Sequence, residues 1–80
     1  MDTSTAVRQR ILDLCRQRGI TVNRLATISG VTQSTVNNIV SGRNHSATVA
    51  TIKKLCDGLE ITLGAFFSTP EFGALEQEIR

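Results

Sequence analysis

The chain has no tryptophan, no tyrosine and three phenylalanines among its 80 residues. A platform for single-stranded nucleic acid stacks bases on aromatic side chains, and this composition argues against one. There is one histidine, His45, set in a polar stretch. With no acid pair, no Cys–His arrangement and no glycine-rich phosphate loop at working spacing, an enzyme is not expected. No partner stands at metal-ligand spacing from His45, so neither metal nor cofactor is expected. The two cysteines, Cys15 and Cys56, do not resemble a disulfide framework. Each sits in an apolar helical stripe, where free cysteine serves as a small hydrophobe, a usage that fits a reducing cytoplasm. No apolar run approaches the length of a membrane span and no signal-peptide pattern opens the sequence. A soluble cytoplasmic protein is therefore expected. No repeat, low-complexity segment or linker divides the chain, and its length suits one domain with a small core.

The charge is +2 overall but uneven. Residues 1–66 carry a surplus of four positive charges, whereas residues 67–80 carry Glu71, Glu76 and Glu78 against Arg80 alone. A mildly basic body suits a polyanion partner, and the acidic tail argues against its own contact with such a partner.

The most informative stretch runs from Thr21 to Ser41. It reads as two short helices, about Val22 to Ile28 and Gln33 to Val40, joined by a tight turn at Ser29-Gly30-Val31. Two helices with a short glycine-containing turn form the helix-turn-helix unit. At 100° per residue, Val36, Ile39 and Val40 share one side of the second helix. The opposite side carries Ser34, Asn37, Asn38 and Ser41, with Gln33 and Thr35 at its edges. This side has neither charge nor bulk, only amides and hydroxyls. Solvated faces ordinarily use Lys and Glu, which favour helix, and adjacent asparagines do not. Asn and Gln pair bidentately with adenine, and Ser and Thr reach several base edges. Gln33, Ser34, Asn37 and Asn38 are thus candidate base readers in a major groove.

Thr21, Asn23 and Arg24 stand at the start of the first of these helices, where backbone N–H groups favour an anion. Thr21 and Asn23 are candidate phosphate contacts, with a plain helix cap and exposed neighbours as the other reading. Arg43 and Asn44 lie just past the reading helix, after Gly42, at the place suited to phosphates of the same groove. His45 is either a neighbour of that phosphate or simply solvated.

A local pattern marks the helix starts. Ile20-Thr21 precedes Leu25, Val31-Thr32 precedes Val36, and Ile61-Thr62 precedes Phe66, with Ala47-Thr48 and Ile52 as a weaker version. Each is a capping hydroxyl bracketed by a hydrophobic staple. Helix one is expected over about Ala6 to Arg18, burying Val7, Ile11, Leu14 and Cys15 and ending at Gly19, with Arg10, Asp13, Arg16 and Gln17 toward solvent. Helix two buries Leu25, Ala26 and Ile28. Helix four is expected from about Val49 to Asp57, stopped by Gly58, with Val49, Ile52, Leu55 and Cys56 inward. Helix five covers about Leu63 to Phe67. Thr69-Pro70 signals one more helix, whose narrow stripe of Phe72, Leu75 and Ile79 either packs on helix one or meets a second subunit. The division is then residues 1–67 as the core domain and 68–80 as an acidic amphipathic helix.

The run GITVNRLATISGVTQSTVNNIVSGRNHSATVATIKKLCDGLEITLGAFF resembles the XRE-like family, the phage Cro and repressor type. Its marks are Leu25-Ala26, Ser29-Gly30-Val31-Thr32, Ser34-Thr35-Val36, Ile39, Gly42-Arg43, Thr51-Ile52, Leu55 and the segment from Thr62 to Phe67. The resemblance implies an all-α, compact five-helix repressor-like DNA-binding domain, here with an additional short C-terminal helix. It implies a transcriptional regulator of double-stranded DNA, with Gln33, Ser34, Asn37 and Asn38 facing bases and Thr32, Thr35 and Arg43 near the backbone or base edges. The sequence departs from the family at Val22, where a phosphate-touching Gln is common, at Arg24, where Glu is, and at Glu60, where Gly is. A homodimer on a pseudo-palindromic operator is expected, because two copies of this motif span one turn of duplex. The competing reading is a protein-interaction module or antitoxin-like regulator with a protein partner, kept open by the tail stripe.

Overall fold

The computed structural model describes residues 2–42, 47–77 and 79. Six helices follow in order among them: α1 (Thr3–Arg18), α2 (Val22–Ser29), α3 (Gln33–Val40), α4 (Val49–Leu59), α5 (Leu63–Phe67) and α6 (Pro70–Gly73). The architecture is all-α, as the sequence implies: five helices around one core, with a short sixth. Among the described residues no helix is long and apolar enough to cross a membrane.

The threonine pattern sets the frame. Thr21, Thr32, Thr48 and Thr62 each sit in extended backbone and accept a hydrogen bond from the N–H three residues on. That bond satisfies one of the donors a helix start leaves open, worth about 1 kcal/mol. The flanking Ile20, Val31, Ala47 and Ile61 pack half-buried against a core that contains Leu25, Val36, Ile52 and Phe66. The staple thus fixes each entry angle. Thr69 differs: it precedes Pro70 but makes no side-chain cap bond.

The core gathers Val7, Ile11, Leu14 and Cys15 of α1, Leu25 and Ala26 of α2, Val36 and Ile39 of α3, Ile52, Leu55, Cys56 and Leu59 of α4, and Phe66 of α5. Both cysteines are buried and free, so no bridge joins them. α2 packs against both α3 and α4, and α1 underlies α2 and α3.

Several expectations need correction. α1 begins earlier, at Thr3, because Asp2 caps it by accepting from the Thr5 N–H at 2.8 Å. Ile28 is 40% exposed; Ser29 instead turns its hydroxyl inward toward α4. Val49 is 66% exposed, since it points about 70° from the centre of the α4 stripe and has no preceding turn to cover it. Gly58 does not stop α4. The helix runs through it to Leu59 and ends at Glu60, which takes the left-handed conformation at φ 59°. Gly58 is needed for packing, because a Cβ there would lie 2.1 Å from Ser29 Oγ and 3.1 Å from Ser29 Cα.

Arg10 does not face solvent. Its Nε donates to the Phe66 carbonyl at 2.8 Å and its Nη2 to the Ala65 carbonyl at 2.9 Å, and the guanidinium lies 5.9 Å from the Phe66 ring centroid. It ties α1 to the end of α5, where carbonyls lack helical partners. The tail helix is shorter than its stripe. It ends at Gly73, leaving Phe72 packed on the core and Ile79 81% exposed. Phe72 closes an edge-to-face cluster with Phe67, ring centroids 4.9 Å apart, and α6 lies against α1.

Candidate nucleic-acid interface

The turn between α2 and α3 is built by Gly30, whose φ of 68° is the left-handed conformation that closes α2. Val31 then packs half-buried, and Thr32 starts α3. Because Val36 and Ile39 are buried in the core, the rotation of α3 is fixed, and its amide and hydroxyl face is turned outward. Gln33, Ser34, Asn37 and Ser41 are exposed, while Thr35 and Asn38 are half-buried. The structure therefore brings the four candidate base readers, Gln33, Ser34, Asn37 and Asn38, onto one helix held rigidly by the core. The α3 helix itself carries no charged side chain.

The candidate phosphate contacts divide into four groups. Thr21 accepts from the Arg24 N–H at 3.0 Å and so acts as a cap. A hydroxyl that accepts still has its own proton to donate. Thr32 accepts from the Thr35 N–H at 3.4 Å, and the two hydroxyl oxygens lie 2.7 Å apart. One of the pair uses its proton on the other, so one hydroxyl proton is left over. The same device recurs at Thr48 and Thr51 on α4, so the pairing is a capping motif first. Asn23 is exposed on the first turn of α2, and its Oδ1 accepts from Asn37 Nδ2 at 3.3 Å. This link between α2 and α3 was not legible in the sequence, where the two amides stand on different helices. Arg43 and Asn44, with His45, lie outside the described residues.

Arg8 adds a feature that periodicity does not single out. It is half-buried on α1 and reaches toward the far end of α3: a Cβ on Gly42, where φ is 82°, would come within 3.3 Å of its Nη1. A guanidinium there faces the negative end of the α3 dipole, where a cation is favoured. Among the described residues, the ion pairs Asp13–Arg16 and Lys53–Asp57 each lie within one helix, α1 and α4. Burial pushes the Cys15 and Cys56 thiols above their ordinary value of 9.0, with Asp57 adding to the rise at Cys56 and Lys53 and Arg10 opposing it. Both thiols are therefore poor nucleophiles near neutral pH.

The comparisons with known proteins agree with this geometry. Residues 10–71 match the model of the Cro/C1-type helix-turn-helix DNA-binding domain. Over 53 residues, 66% of this chain, it is 40% identical to the "Uncharacterized HTH-type transcriptional regulator RghRB" of Bacillus subtilis (strain 168). Over 70 residues, 88% of this chain, it is 31% identical to the "HTH-type transcriptional regulator PuuR" of Escherichia coli (strain K12). These alignments span 38% and 37% of those two proteins, so the chain corresponds to well under half of either. Among solved structures, the prophage Lp1 protein 11 superposes with a TM-score of 0.81 at 37% identity, covering 94% of this chain and 100% of that one. The family is one of DNA binding rather than catalysis. The capped α2–turn–α3 unit, its outward polar face and these matches together establish that the chain belongs to the Cro/C1-type helix-turn-helix DNA-binding family.

Proposed function

We propose that the chain is the operator-reading part of a transcriptional regulator, with α3 inserted in the major groove of double-stranded DNA. Gln33, Ser34, Asn37 and Asn38 face base edges. Thr21, Asn23, Thr32, Thr35, Arg43 and Asn44 face the sugar-phosphate backbone. The observation that carries this reading is the outer side of α3: an uncharged set of amides and hydroxyls, exposed at Gln33, Ser34 and Asn37 and half-buried at Asn38, on a helix whose rotation the core fixes. Such groups match the donor and acceptor pattern of the major groove, whereas the ordinary solvated helix face is ionic. The spare hydroxyl protons at Thr21 and in the Thr32–Thr35 pair support a backbone role alongside capping. The names of the relatives, which are transcriptional regulators, support the regulatory assignment.

Two copies reading a pseudo-palindrome would place their α3 helices about 34–36 Å apart, one turn of duplex. The test is selection from random duplex DNA at roughly 150 mM salt, where sequence-independent electrostatic binding is suppressed. Enrichment of a two-fold symmetric motif bound by two chains supports the whole reading. A single unrepeated half-site bound by one chain removes the dimer and keeps the base reading. No enrichment by a folded protein overturns both.

A further inference from the structure

The bond between Asn23 and Asn37 has no evident structural purpose. Both side chains are exposed, so water would satisfy either amide. The packing of α2 on α3 is already set by the buried Leu25, Ala26 and Val36. Holding two asparagine side chains in one arrangement costs rotamer freedom, and an exposed amide–amide bond returns little. Its effect is instead on orientation. A free carboxamide presents its oxygen and nitrogen in either order, because the two differ by a half-turn about the last side-chain bond. In this structure Asn37 Nδ2 donates to Asn23 Oδ1 at 3.3 Å; that order is kept wherever Asn23 Nδ2 is engaged elsewhere, as by a phosphate, so that Asn23 has only its oxygen to offer Asn37.

We infer that Asn23 is a positioning residue for base recognition: by accepting from Asn37 Nδ2 it fixes which edge of the Asn37 amide the DNA meets. The inference rests on the proposed reading that Asn37 faces bases, and deepens it. Adenine in the major groove offers an acceptor at N7 and a donor at N6, and an amide reads both at once. It does so with Oδ1 and the N–H on the same side as that oxygen. The second N–H, on the Cβ side, is then the one available to Asn23. Donation to Asn23 and bidentate reading of adenine are thus compatible in one amide orientation; half-turned alone, Asn37 would set its oxygen against the Asn23 oxygen and lose the bond between them. Asn23, having given its oxygen to Asn37, keeps both protons of its own Nδ2 for a phosphate beside the start of α2. One hydrogen bond then couples backbone docking to the base preference at a single position.

The experiment measures equilibrium affinity for the selected operator and for its single-base-pair variants. Asn37→Ala first identifies the base pair whose preference is lost. Asn23→Ala is expected to relax preference at that same base pair by about fivefold or more, with preferences elsewhere unchanged. Asn23→Asp keeps an acceptor for Asn37 but brings a negative charge to the phosphate. It is expected to weaken all sequences alike while retaining the preference that Asn23→Ala loses. In the Asn37→Ala background, Asn23→Ala is expected to change no preference further. Uniform weakening by Asn23→Ala, with preference at the Asn37 position intact, would overturn the inference and leave Asn23 as a phosphate contact alone. Equal relaxation by Asn23→Asp and Asn23→Ala would also overturn it. If Asn37→Ala relaxes no base pair, the base-reading proposal itself fails and the inference falls with it, a result distinct from the other two.

Discussion

α3 and α4 begin the same way and are finished differently. Each starts at a threonine that caps the third N–H and pairs its hydroxyl with another threonine three residues on. Each buries an apolar side: Val36 and Ile39 on α3; Ile52, Leu55, Cys56 and Leu59 on α4. The contrast is on the outer side. α4 carries Lys53 and Asp57, an i,i+4 ion pair of the kind that supports a solvated helix. α3 carries amides and hydroxyls, and the side-chain bond its Asn37 makes outside the helix goes to Asn23 of α2. The lesson is that one helical frame serves two ends. α4 uses its surface for its own stability, while α3 leaves hydrogen-bonding capacity available to a partner.

The comparison can be broken at several points, and the inner side of α4 is the most sensitive. Leu55 is fully buried, so Leu55→Ala should lower unfolding free energy by about 3 kcal/mol in a urea titration. Gly58→Ala should cost about 1–3 kcal/mol, since a Cβ would collide with Ser29 of α2; an unchanged urea midpoint would show that the α2–α4 crossing is looser than described. On the outer side of α3, Asn38→Ala should change stability by less than about 0.5 kcal/mol yet reduce discrimination at one operator base pair by about 1 kcal/mol or more. On the outer side of α4, Asp57→Ala should cost at most about 0.5 kcal/mol and leave base preference unchanged.

The buried thiols give a smaller, pH-dependent handle on the core. Burial raises both thiols above 9.0, so the folded chain holds these protons more tightly than the unfolded chain. The stabilisation is complete below the unfolded value and is lost as the pH rises through the folded one. The urea midpoint should therefore fall as pH is raised above about 9, and Cys56→Ala should flatten part of that slope.

What the sequence revealed was local. The four capping threonines with their staples, the Gly30 turn, and the span of α3 depend on residues within a few positions of one another, and each was legible. So was the grouping of Ser34, Asn37 and Asn38 with Gln33 at its edge, because periodicity alone sets the first three on the side away from Val36 and Ile39. What escaped was set by distant neighbours. Gly58 looks like a helix stop until Ser29 is seen against it. Arg10 looks solvated until the end of α5 arrives beside it. At Asn23 the sequence shows a cap neighbour or a phosphate contact, and not that Asn37 of α3 meets it. The tail misled for the opposite reason: an apolar spacing continued on paper through Ile79, whereas the helix ends at Gly73.

The most direct test of the difference between α3 and α4 is to give α3 the outer surface of an ordinary helix. Gln33→Glu with Asn37→Lys places an i,i+4 pair on two exposed positions and adds no net charge. The measurement is operator selection by this double variant beside the wild type, with a urea titration to show that folding is intact. The account predicts equal or greater stability and loss of the wild-type motif. Recovery of the same motif by the folded double variant would contradict it, because the surface held responsible for reading DNA would then be dispensable.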